Sequence, residues 1–238
     1  MLIIAHRGAS AVAPESTQAA IRAAARAGAR MIELDLQMTQ DGRLIVFHDD
    51  RLERTTNGRG RIAASRYRDV ARLDAGRWFH PRFAGERILL LSRVFRLVPP
   101  WMGVNLELKR TQRRAALISR LRRMLRRGRI SRRLLLSSFD PQLLRPWIGS
   151  RLARALICRR DPDGSLRQAV ELGCLAWHPL HTLVTPARVA RAHAAGLRVH
   201  AWTVDDAVRA RQLIRWGVDG LFTNDPAKLA RVGRRRVR

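Results

Sequence analysis

Much of what staples or anchors a protein is scarce in this 238-residue chain. It has two cysteines, Cys158 and Cys174, too few for a disulfide framework and without the paired spacing of a zinc site, so both are expected to be small core residues in a reducing compartment. No run approaches the roughly 18 to 20 consecutive apolar residues that cross a bilayer. The opening Met-Leu-Ile-Ile-Ala-His lacks the basic and long apolar regions of a secretory signal, which makes a cytoplasmic location the expectation. Aromatic residues are 5% of the chain, and acids number 19 against 47 Lys+Arg, a formal net charge of +28. Only Lys109 and Lys228 are lysine, so the charge is almost entirely arginine. An apolar content of 46% excludes the composition of a disordered chain.

Such a charge predicts salt-sensitive attraction to polyanions or an anionic membrane face. Its densest block, 110–133, sets Leu117, Ile118, Leu121, Met124 and Leu125 at helical spacing, which reads as an amphipathic surface helix. Arg234, Arg235, Arg236 and Arg238 are expected to form a mobile basic tail.

Short β-rich runs alternate with Ala/Leu/Arg-rich helical stretches along the chain, the pattern of an α/β protein with parallel strands. Candidate strands lie at 2–5, 31–36, 43–47, 103–108, 134–138, 153–158, 174–177, 197–202 and 220–223. The second and third flank Asp41-Gly42, a hairpin signal, and should run antiparallel. Setting that arm aside leaves eight strands, which fits a (β/α)8 TIM-like barrel with an antiparallel hairpin arm after the second strand. Nothing marks a second domain, so 1–238 is expected to be one.

In such barrels active-site groups sit at the C-terminal ends of the strands, and here those ends are polar. Ile32, Leu34 and Leu36 alternate with Glu33 and Asp35, and Val104, Leu106 and Leu108 with Asn105, Glu107 and Lys109. Period two then turns the acids toward the barrel interior. Glu33, Asp35 and Glu107 offer all-oxygen ligation suited to a hard divalent cation, Mg2+ or Ca2+; plain ion pairing with Lys109 and arginines is the alternative. A two-residue Asp41-Gly42 turn would set Asp35 opposite His48, to within about one pair. His6 and His48 would then border the acids, placed for general acid/base work. His80, His181, His193 and His200 read as ordinary structural histidines, and His178 stands between the two classes.

The residues also resemble the glycerophosphodiester phosphodiesterase family over nearly the whole chain. The pattern is carried by His6-Arg7-Gly8, Pro14-Glu15-Ser16-Thr17, Glu33-Leu34-Asp35, Thr39-Gln40-Asp41-Gly42, His48-Asp49, Leu52-Glu53-Arg54-Thr55-Thr56-Asn57-Gly58, Asn105-Leu106-Glu107-Leu108-Lys109, Ala201-Trp202-Thr203-Val204 and Thr223-Asn224-Asp225-Pro226. The resemblance implies a TIM-like barrel with a small insertion at 51–91. It also implies metal-dependent hydrolysis of glycerophosphodiesters, small-molecule substrates, to sn-glycerol 3-phosphate and an alcohol. Glu33, Asp35 and Glu107 would hold Mg2+, Ca2+ or Mn2+, His6 and His48 would be the acid/base pair, and Arg7 and Lys109 would hold the phosphate. Trp202, ending a strand, would overlook the site and cover glycerol carbons or attract a choline cation, with Phe79, Phe83 and Leu90 adding apolar surface near the mouth. Several head groups should then be tolerated. Two departures stand out: Ser16, where the family usually has Asn and which could cap the following helix, and Leu89-Leu90-Leu91-Ser92-Arg93, which lacks the family's acidic character. Lysophospholipase D-type action, an Arg-rich polyanion-binding protein and a catalytically silent phosphate- or lipid-binding barrel are the competing readings. No recognised nucleic-acid-binding pattern supports a specific nucleic-acid partner.

Overall fold

The computed structural model describes residues 1–127 and 133–234. Eight parallel strands close into a barrel: β1 (Leu2–His6), β2 (Met31–Met38), β5 (Gly103–Leu108), β6 (Leu134–Ser138), β7 (Ala153–Cys158), β8 (Ala176–Pro179), β9 (Arg198–Ala201) and β10 (Gly220–Thr223). β1 completes the circle by pairing with both β10 and β2. Two antiparallel strands, β3 (Leu44–Val46) and β4 (Leu89–Leu90), extend from β2. The helices are α1 (Gln18–Arg26), α2 (Tyr67–Val70), α3 (Leu91–Leu97), α4 (Arg114–Arg127), α5 (Pro141–Leu144), α6 (Pro162–Glu171), α7 (Pro186–Ala194), α8 (Ala207–Arg215) and α9 (Pro226–Arg234). Their ends follow local chemistry. Thr17, Asp140, Asp161, Thr185 and Asp206 each cap a helix through a side-chain oxygen.

Alternation along the strands separates two environments. Ile32, Leu34, Leu36, Leu106 and Leu108 join the main core under the helices, while Glu33, Asp35 and Asn105 are buried on the opposite face. Leu135, Ala155 and Ala176 fill the barrel floor. In α4, Leu117 and Leu121 are buried and Met124 and Leu125 pack on the same core, as its spacing predicts. Part of the basic block (128–132) and Arg235, Arg236 and Arg238 of the basic tail lie outside the described residues. Both cysteines are buried and free.

The hairpin departs from expectation by one residue. Leu36 pairs with Val46 and Met38 with Leu44, so Asp35 faces Phe47, whose N–H donates to its carbonyl (2.9 Å), and not His48. The reason is the turn. Thr39 Oγ1 accepts from Arg43 N–H (3.0 Å) and donates to Asp41 Oδ1 (2.6 Å), and Thr39 N–H donates to Arg43 O (3.0 Å). The loop is therefore Gln40-Asp41-Gly42, with Gly42 at φ +78°, a three-residue turn closed by a left-handed glycine. Residues after β3 build a small satellite core from Ile45, Phe47, Leu52, Ile62, Val70, Ala75 and Ile88. β4 was not anticipated, being only two residues long. Phe79 and Phe83 pack edge to face on each other, and neither they nor Leu90 line the central cavity described below.

Candidate active site

Register brings the acids together. Glu33 lies beside Asn105 and Asp35 beside Glu107 on the paired strands β2 and β5. One oxygen from each of Glu33, Asp35 and Glu107 lies within 4.8 Å of the others. Burial and the neighbouring Asp35 and Glu107 push the Glu33 carboxyl well above the usual range, and burial with Asp35 pushes Glu107 up to about 7. Asp35 goes the other way, because Lys109 and Arg7 outweigh its burial. Lys109 Nζ lies 3.0 Å from Glu107 and 3.3 Å from Asp35, and Arg7 Nε lies 3.4 Å from Asp35 Oδ2. Ion pairing does not satisfy the set: two cations face three carboxylates, and Glu33 Oε1 is buried without a hydrogen-bond partner. An unpartnered buried oxygen in an all-carboxylate group is what a hard divalent cation would satisfy. These residues therefore fit such an ion.

Arg7 follows β1 in a strained turn, left-handed at φ +56° with Gly8 at +85°. The turn aims the Arg7 N–H at Glu33 Oε2 (3.0 Å). Only glycine fits next, since a Cβ on Gly8 would come within 2.7 Å of the Ala20 Cβ and 2.8 Å of its backbone carbon in α1. The His-Arg-Gly motif thus sets both an imidazole and a backbone donor on the acids.

The two histidines are held differently. Asn224 Nδ2 donates to Asp205 Oδ2, which leaves Asn224 Oδ1 to accept from His6 Nδ1 (2.8 Å) and Ser10 Oγ (2.8 Å). This fixes the neutral tautomer of His6 with its Nε2 lone pair free. Burial, with Arg7 nearby, lowers the His6 pKa to about 4. His48 donates from Nδ1 to Asp49 Oδ1 (2.6 Å). Hydrogen bonds from Arg54 and His48 outweigh burial and hold the Asp49 carboxyl ionised below its usual range. The Gln37 amide reaches the carbonyls of Phe47, His48 and Asp49 (3.0, 3.1 and 2.6 Å) and so carries His48 over the mouth despite the shifted register. Arg54 joins Asp49 to Glu15, and Glu15 accepts from Arg7 (3.1 Å). Asn224, Asp49, Arg54 and Glu15 all lie in the motifs carrying the resemblance, yet no sequence pattern gave them a positioning role.

His6, Arg7, Glu33, His48, Asn105, Glu107 and Lys109 meet a cavity of about 360 Å3 at the C-terminal end of the barrel, lined also by Phe139, Ile157, Arg159, His178, Trp202 and Phe222. His178 is fully buried; its Nε2 lies 3.1 Å from His200 Nδ1, and its Nδ1 has no partner. Trp202 donates its indole N–H to the His178 carbonyl (2.8 Å). His80 accepts from the Arg82 N–H, His193 pairs with Asp219, and His181 touches Arg209, as structural histidines would. Ser16 does not cap α1; that is Thr17. Ser16 instead sits left-handed at φ +60° with a buried, unpartnered hydroxyl. Asparagine tolerates that backbone conformation better than serine.

A closed parallel barrel with acids, imidazoles and cations gathered at the C-terminal strand ends has the arrangement of a TIM-barrel enzyme. Residues 6–228 match the glycerophosphoryl diester phosphodiesterase family, and the chain belongs to it. It is 34% identical to a glycerophosphodiester phosphodiesterase of Caldanaerobacter subterraneus over 98% of each chain. A Bacillus subtilis glycerophosphodiester phosphodiesterase is 31% identical over 95% of this chain and 84% of its own. The solved structure of an Oleispira antarctica phosphodiesterase, in complex with the product sn-glycerol-3-phosphate, superposes with a TM-score of 0.91 at 30% identity, covering 98% of this chain and 96% of that one. Among the described residues no helix is long and apolar enough to cross a membrane.

Proposed function

We propose that the enzyme hydrolyses glycerophosphodiesters to sn-glycerol 3-phosphate and an alcohol with the help of a divalent cation held by Glu33, Asp35 and Glu107. The observation that carries this reading is the convergence of three carboxylates, one with an unpartnered buried oxygen, beside two oriented imidazoles. Mg2+, Ca2+ or Mn2+ would supply positive charge against the phosphoryl oxygens of the transition state. Arg7 and Lys109 hold the phosphate from the same side. His6, whose only ring partner is a neutral amide, takes the nucleophile's proton at Nε2. Burial, with Arg7 and Lys109 nearby, lowers the His48 pKa, which makes it a stronger acid; with Asp49 supporting its imidazolium, it gives a proton to the leaving alkoxide. The product bound to the Oleispira antarctica protein supports glycerol 3-phosphate as the retained half. The barrel and its insertion act as one domain.

The test is release of glycerol 3-phosphate from glycerophosphocholine, glycerophosphoethanolamine and glycerophosphoglycerol, with and without EDTA. Loss of turnover in EDTA and its return on adding divalent ion is the expected result. Full turnover after exhaustive chelation overturns the cation, and no turnover on any diester overturns the activity.

A further inference from the structure

The cavity has two unlike ends. Its floor is closed and lined by Phe222, Ile157 and the buried His178, whose Nδ1 has no partner. That end suits a small half carrying hydroxyls, the glycerol. The other end is an open lip built from three strand termini: Phe139 after β6, beside the acid-bearing β5, Arg159 after β7 and Trp202 after β9 on the far side. Phe139 is 43% exposed there. The variable half of a diester belongs on a surface open to solvent.

On that lip one cation already lies against both aromatic rings. Phe139 and Trp202 pack edge to face at 5.6 Å, and the indole is pinned by its bond to the His178 carbonyl. The Arg159 guanidinium carbon lies 5.5 Å from the Trp202 ring centre and 5.8 Å from that of Phe139, within the range of a cation–π contact. Among the described residues no carboxylate forms an ion pair with Arg159, and the carboxylates lining the cavity are Glu33 and Glu107 of the acid cluster. An arriving quaternary ammonium would therefore meet two rings that already hold a cation within contact distance, and an uncompensated positive charge besides. The same guanidinium offers its N–H fork to oxygen acceptors.

Resting on the activity proposed above, we infer that Arg159, stacked on Trp202 and Phe139, is a specificity-determining residue that steers the alcohol site toward anionic head groups and away from choline. This reverses the part expected of Trp202 as a choline-attracting face and narrows the expected tolerance of head groups.

The test measures kcat/KM on glycerophosphocholine, glycerophosphoglycerol as neutral polyol and glycerophosphoinositol 4-phosphate as anion, for wild type, Arg159→Lys and Arg159→Gln. Ratios between substrates within one protein cancel any general loss of activity or folding. The wild type should favour the anionic over the choline diester by about tenfold at low salt, the order of one like-charge contact near a protein surface. Arg159→Lys should keep the preference, Arg159→Gln should shrink it about fivefold through KM, and added salt should narrow it in the wild type. A wild type that hydrolyses the choline diester as well as the anionic one, or an unchanged ratio in Arg159→Gln, overturns the inference. Hydrolysis of none of the three overturns the underlying activity as well, and the EDTA assay recognises that separate failure.

Discussion

Glu33→Gln separates the cation from the rest of the site. Burial and two acidic neighbours push the Glu33 carboxyl well above its usual range, so glutamine copies the neutral form they favour and can still accept the Arg7 N–H now bound at 3.0 Å. The metal-free variant should match wild-type stability to within about 1 kcal/mol. Adding divalent ion to wild type at about a hundred times its Kd should raise stability by about 2.7 kcal/mol, roughly 5 to 10 °C in Tm for a chain of this size. Glu33→Gln should lose most of that shift. Proton release gives a second handle. With Glu107 at about 7, the ion must displace a proton below that pH, so affinity rises with pH and then levels off. Between about pH 8 and about pH 5.5 this group alone weakens binding about thirtyfold, about 2 kcal/mol. Glu33, also raised, adds to that. Calorimetric and thermal-shift titrations with MgCl2, CaCl2 and MnCl2 at both pH values check the reasoning. An undiminished Tm shift in Glu33→Gln, or equal affinity at the two pH values, refutes it.

His6→Ala and His48→Ala should each lower kcat by at least about 10^2, with circular dichroism and Tm little changed; near-normal turnover in either removes it from the acid/base pair. Ser16→Gly should raise stability by about 1 kcal/mol, because it relieves the left-handed strain and deletes a buried unpartnered hydroxyl. A urea midpoint that falls would contradict this. Burial lowers the His200 pKa to about 4 and holds that of His178 well below its usual value, so the unfolded chain binds these protons first. Their contribution is intact above about pH 6.5 and is lost as pH falls toward 4, about 3 kcal/mol for His200 alone. Urea unfolding of wild type and His200→Asn across that range should show the variant's stability falling less steeply.

Strands were legible where alternation was strong. β5, β6, β7 and β10 begin and end where the apolar pattern does, because each has its apolar residues under helices. β8 starts two residues later than expected, at Ala176: Cys174 N–H is taken by Ala169 O of α6, while Leu175 still bonds to Arg154 and Arg198 on the neighbouring strands. The acids and His6 could be read because they sit on or beside patterned strands. The supports could not: Asn224 reaches His6 across 218 positions and Arg54 reaches Glu15 across 39. Trp202 could be read as overlooking the site, but its contact with Phe139 and Arg159 could not, since the three come from separate strand ends and share no local motif.

The hairpin loop between β2 and β3 has a consequence for altering this chain by insertion or deletion. β3 makes three pairs with β2 and two with β4, and each residue gained or lost at Gln40-Asp41-Gly42 advances it one step and exchanges its two faces. Loop length is thus a discrete setting with one working value. A single-codon deletion there would turn the Phe47 side inward and swing His48 away from His6, though every chemical group of the site was still encoded. The 3-10 turn at Pro81–Phe83 carries no strand register, so added length beside it leaves that setting untouched.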